Sequence, residues 1–143
     1  MSQWTHVAGT IRLDSIFHQN FERRVRLAFD TPVSYEDMGR TETRVPMGSE
    51  GSIQYAVTRS GYEKENTISA TCCVLSMWGD LRDRGDDLVP DVCEWIKEAL
   101  ERLPDMYVRQ LVIQVEIEFG NTYIIRMVND ELDVQVLNDK TEE

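Results

Sequence analysis

Between Val108 and Phe119 the chain reads VRQLVIQVEIEF. From Leu111 onward, Leu111, Ile113, Val115, Ile117 and Phe119 alternate strictly with Val112, Gln114, Glu116 and Glu118. Side chains of a β-strand point alternately to opposite faces, so this period predicts a long strand with one face in a core and the other in water. Gly120-Asn121 follows as a two-residue turn signal, and Thr122 to Val128 alternates again, so the strand opens a hairpin. Such a strand needs neighbours in a sheet and something apolar laid over one side.

The rest of the chain supplies both. Trp4 to Asp14 alternates as a strand. Asp14-Ser15 reads as the cap of a helix running to about Phe29, with Phe17, Phe21, Val25, Ala28 and Phe29 at helical spacing. Ile53 to Arg59 is a short strand. Thr67 to Trp78 is apolar on both faces, as in a central strand, which places Trp78 in the core. Gly79 to Asp87 reads as a charged loop. The surest helix runs from Leu88 to Leu103, where Leu88, Val92, Trp95, Ile96, Ala99, Leu100 and Leu103 form a wide stripe. Asp86 or Asp87 is placed to cap it, Pro90 fits its first turn and Pro104 stops it. A last strand covers Leu132 to Leu137. The expectation is one α+β domain over residues 1–138 with a polar tail at 139–143: an antiparallel sheet with two helices on one face, ferredoxin-like (βαββαβ) with a C-terminal strand extension.

Charge divides the chain. Residues 1–59 carry seven basic and seven acidic groups; residues 60–143 carry eight and nineteen, which accounts for the whole net charge of −11. A surface of that sign repels nucleic acid polymers. No apolar run approaches the roughly 20 residues that span a bilayer, and the first residues lack the layout of a signal peptide, so a cytoplasmic protein with no membrane partner is expected. Three cysteines without a C-x-x-C suggest reduced thiols rather than disulfides or zinc.

No stretch carries a specific catalytic or metal-binding motif, and no cofactor is expected. His6 and His18 have no local partner for acid–base work. Glu116 and Glu118 share a strand face about 7 Å apart but continue a polar row. Asp80, Asp83, Asp86 and Asp87 lack calcium-loop spacing, and Arg84-Gly85-Asp86 reads as a chance tripeptide. The strongest candidate lies in the irregular segment 30–52, where Gly48-Ser49-Glu50-Gly51-Ser52 permits consecutive backbone N–H groups to face one concavity, an anion nest. Arg40 and Arg44 lie just upstream. Every basic group of residues 1–59 is an arginine, suited to bidentate contact with phosphate or carboxylate. The candidate ligand-binding set is Arg40, Arg44, Gly48, Ser49, Gly51, Ser52, Arg12 and Tyr55, with Trp4, Tyr55, Tyr62 or Trp78 as stacking platforms for a base. If both helices lie on one side, the other side displays His6, Thr10, Arg12, Val112, Gln114 and Glu116, a face suited to pairing with a second copy.

At WTHVAGTIRLDSI and PMGSEGS the chain resembles small, uncharacterised proteins encoded by bacteriophages. The resemblance covers about the first fifty residues. It implies an accessory protein of the host-cell cytoplasm that counters a host defence by binding, and it transfers no functional residue. The expected function is non-enzymatic sequestration of a small anionic, nucleotide-like ligand by a homo-oligomer. The alternative is an acidic inhibitor that covers a basic surface of a host protein; a small metal-assisted hydrolase is the least supported.

Overall fold

The alternating stretch forms β6 (Tyr107–Ile117), with Leu111, Ile113, Val115 and Ile117 buried and Val112, Gln114 and Glu116 exposed. The computed structural model describes residues 3–15, 21–30, 33–35, 40–42, 45–60 and 71–138, with backbone alone at 33–35, 40–42, 60, 71 and 138. β6 pairs antiparallel with β1 (Trp4–Ser15), which pairs on its other side with β5 (Thr71–Arg82). β4 (Gln54–Ser60) edges the sheet beyond β5. β7 (Thr122–Val128) and β8 (Glu131–Asn138) extend it beyond β6. The order is β4-β5-β1-β6-β7-β8, and every neighbouring pair is antiparallel.

This corrects the ferredoxin-like expectation while keeping the α+β class. The sheet is a single six-stranded, strand-dominated layer rather than a βαββαβ unit with an appendage. A separate two-stranded ribbon, β2 (Val33–Tyr35) with β3 (Arg40–Glu42), interrupts the path from α1 (Phe21–Asp30) to β4. The physical reason is continuous antiparallel pairing: β1 is hydrogen-bonded on both edges, to β5 and β6, and tight turns add β7 and β8, so six strands share one layer. Asn129 and Asp130 both adopt positive φ, 51° and 64°, in the two-residue loop that makes β8 a continuation of the same sheet.

Four local expectations are also revised. Asp14 and Ser15 end β1 and pair with Cys72 and Thr71, so they do not cap α1. Residues 79–82 belong to β5 rather than to a loop. Asp87 precedes α2 (Leu88–Glu101) without a side-chain cap; its Oδ1 accepts the Gly85 N–H at 2.9 Å, while Asp86 accepts the Tyr123 hydroxyl at 2.8 Å. Phe119, expected in the core, sits in the hairpin turn at φ 61° and 83% exposed, while Gly120 N–H closes on the Ile117 carbonyl.

Both helices contribute to one core against the same sheet face. Val7, Ile11 and Leu13 of β1, Cys73, Leu75 and Met77 of β5, and the buried residues of β6 meet Val25, Phe29, Val92, Trp95 and Ile96. Trp95 is its largest member. It stands edge-on to Phe29 at 5.3 Å and donates its indole N–H to the Phe29 carbonyl at 3.0 Å. Arg102 donates to the Ala28 carbonyl near the end of α1, and Arg24 grips Asp105 through two hydrogen bonds of 2.8 and 2.5 Å. Among the described residues no helix lies over the opposite sheet face, and Trp78 lies there, 46% exposed, rather than in the core.

Candidate functional site

The glycine-rich loop is clamped onto the end of β5. Gly48 N–H donates to the Gly51 carbonyl at 2.9 Å, Ser49 N–H to the Arg82 carbonyl at 2.9 Å, and Arg82 N–H to the Glu50 carbonyl at 3.0 Å. Ser52 bridges back to Met47, and Ser49 Oγ donates to Asp83 at 2.7 Å. Gly51 has φ 76°, and a Cβ there would stand 2.0 Å from the Asp80 carbonyl oxygen, so glycine is needed for close approach of two backbones. The Gly48 and Ser49 amides expected to face an anion are turned to carbonyls of the chain itself. Arg84 completes the clasp by binding Asp87, Asp91 and the Met47 carbonyl, so the Arg84-Gly85-Asp86 tripeptide is a structural latch.

The other expected site residues are dispersed. Arg12 projects from the uncovered sheet face, about 27 Å along β1 from the strand end against which the loop sits. Arg40 begins β3 opposite Tyr35, and Arg44 lies outside the described residues. Tyr55 turns toward α1, where its hydroxyl hydrogen-bonds Asp30 and the Arg26 carbonyl. Of the stacking candidates, Tyr62 lies outside the described residues.

A different set of arginines converges. Arg23 and Arg26 of α1 and Arg59 of β4, with Phe21 and Glu22, line one open cleft of about 370 Å³. Residues three apart on a helix share a flank, which puts Arg23 and Arg26 on the same side, and the packing of α1 beside β4 brings in Arg59. Arg26 pairs with Glu22 at 2.9 Å and also lines an adjoining cleft of about 360 Å³ with Asp30, Val45, Gln54 and Tyr55. Cys73, close enough to feel Glu22, Arg26 and Arg59, is buried, and desolvation pushes its thiol up to about 12, which removes it as a nucleophile. The arginine type of this cluster was readable in the sequence; its membership was not, because Arg24 leaves the group for Asp105 and Arg59 joins from a distant strand.

His6 bridges two carboxylates on the uncovered face. Its Nδ1 lies 2.5 Å from Asp80 and its Nε2 3.5 Å from Glu118, and its pKa is raised above 6.5, chiefly by the Asp80 hydrogen bond. Glu118 also accepts the Trp4 N–H, so this carboxylate holds the start of β1 in place. Among the described residues no group of three or more His, Cys, Asp or Glu could hold a metal ion. A cavity of about 530 Å³ opens between α2 and the β7–β8 turn. Its lining joins the apolar Leu100, Met127 and Leu132 and Cys93 with four carboxylates, Glu94, Glu101, Asp130 and Glu131, and one ammonium, Lys97.

Among the described residues no helix is long and apolar enough to cross a membrane. No family model, curated protein or solved structure matches the chain.

Proposed function

We propose that this chain is a non-enzymatic binding protein that captures a small anion of nucleotide-like chemistry at the cleft of Arg23, Arg26 and Arg59. The supporting observation is that three arginines from α1 and β4, together with Glu22, line one opening of a protein with net charge −11. An acidic rim is what this composition scatters over any surface; an arginine cluster departs from it. Guanidinium forks suit phosphate oxygens bidentately. Withholding a signalling nucleotide from a host defence fits the role that the phage-type resemblance implies.

Isothermal titration of the full chain with pyrophosphate and with ATP tests the reading. Binding should fall at least tenfold in Arg26→Gln and in Arg59→Gln with the melting temperature retained. Arg44→Glu asks separately whether the segment upstream of the glycine-rich loop contributes. Wild-type protein that takes up neither probe, or variants that bind as well as wild type, would overturn it.

A second reading is favoured by the groove of apolar and mainly acidic lining between α2 and the β7–β8 turn. There the chain would hold a basic amphipathic segment of a host protein. Such binding weakens steeply with salt, and Glu94→Lys with Glu131→Lys should abolish it.

A further inference from the structure

We propose that the uncovered sheet face is a self-association surface, occupied by the same face of a second copy about a two-fold axis that runs across the strands. The face is ordered in rows by the strand register. Asp80, His6 and Glu116 form an acidic row at one end. Gln54, Trp78, Ala8, Gln114 and Ile124 form the next, then Ala56, Ser76, Thr10, Val112 and Arg126, then Thr58, Val74, Arg12 and Gln110. Apart from Gln114, the interiors of the two middle rows are small or apolar, and the charges lie at the margins, the layout of a protein interface with a polar rim.

Charge selects the axis. A two-fold axis along the strands would lay the acidic row on itself. An axis across the strands, between the two middle rows, lays the acidic row on the row of Arg12. Arg12 of one copy then falls over His6 of the other, between the carboxylates of Asp80 and Glu116; Arg12 and Arg109 both pair with Asp14, which leaves that end with one excess positive charge. The same rotation sets the bulky Trp78 over Ser76 and Ala56 of the second copy, a large side chain over small ones. Each contact occurs twice, as a two-fold interface requires.

The area suffices. The face runs about 27 Å along β1 from His6 to Asp14 and about 25 Å across six strands at the usual spacings. Two such faces hide on the order of 1,300 Å², inside the range of stable interfaces and ample for a sandwich with its usual packing angle.

Sedimentation velocity of the full chain across micromolar concentrations decides it. Wild type should sediment as a dimer. Thr10→Arg and Ala8→Glu, at exposed positions in the middle of the face, should raise the dissociation constant at least a hundredfold with unchanged circular dichroism and melting of the monomer fold. Arg12→Glu should weaken the dimer about tenfold, and adding Asp80→Arg should restore it. Val136→Lys, on the exposed β8 edge, should leave the dimer intact. A wild-type monomer at hundreds of micromolar overturns the proposal. So does a dimer that survives both central substitutions or is broken by Val136→Lys instead.

Discussion

The two faces of the sheet are made from alternate residues of the same strands, and they do opposite work. On the helix side, Ile11, Leu75 and Ile113 sit on adjacent strands with no exposure and pack under Trp95 and Phe29. On the other side, their immediate neighbours Thr10, Ser76 and Val112 stand in a row that no element of the described chain covers. The covered face holds the fold together through burial of apolar area, about 25 cal/mol per Å². The uncovered face contributes little to that core and is free to be chosen for contact with something else. The arginine cleft lies at the margin of the covered layer, where α1 meets β4 and packing stops before the charges are buried.

The contrast makes its largest demand at two tryptophans. Trp95→Ala should cost about 3–5 kcal/mol in urea denaturation, from lost packing and from the cavity left behind. Trp78→Ala on the uncovered face should cost under about 1 kcal/mol under conditions where the chain is monomeric. Equal costs would mean that the two faces are not divided as described.

A middle-sized effect concerns how α1 is tied down. Arg24→Ala should cost roughly 0.5–1 kcal/mol, the range for a partly exposed ion pair. Hydrogen bonding to Arg24 holds the Asp105 carboxyl below its ordinary value of 3.8. A depressed folded-state pKa means that this contribution is present above the unfolded value and is lost as pH falls through the folded one. The stability difference between wild type and Arg24→Ala should therefore be constant at neutral pH and close below pH 3.8. A difference independent of pH would show that packing of the arginine stem, not the ion pair, does the tying.

The smallest effect belongs to His6, half exposed on the open face. Its raised pKa gives a contribution fully present below 6.5 and lost as pH rises through the folded-state value. Under conditions where the chain is monomeric, its imidazole should titrate by NMR above 6.5 in wild type and return toward 6.5 in Asp80→Asn. No change on that substitution would remove the Asp80 contact as the cause.

Elements whose pattern comes from burial on one side were legible. Leu111 to Ile117 and Leu88 to Ala99 carry their periods openly, because each must present an apolar side to one core. Residues whose fate depends on a neighbour were not. Phe119 continues the apolar alternation, yet the backbone reverses beneath it. Trp78 lies in a run that looks buried on both faces, yet among the described residues no helix covers its face and it stands 46% exposed. Asp14 has the side chain of a helix cap but is taken by the sheet register and by Arg109. The same divide applies to the site. That the basic groups of residues 1–59 are all arginines was visible, whereas the spending of the Gly48 and Ser49 amides on the end of β5 required knowing that β5 reaches Arg82.

By itself, then, the sequence determined the α+β class, the long half-buried strand, the second helix, and the confinement of excess negative charge to residues 60–143. These follow from periodicity and composition, which are properties of neighbours along the chain. Tertiary structure alone decided the six-stranded order, the bare face that carries Trp78, and the meeting of Arg23 and Arg26 with Arg59. Those depend on which strands share hydrogen bonds and which helix lies over them, and that is settled by the packing of side chains far apart in sequence.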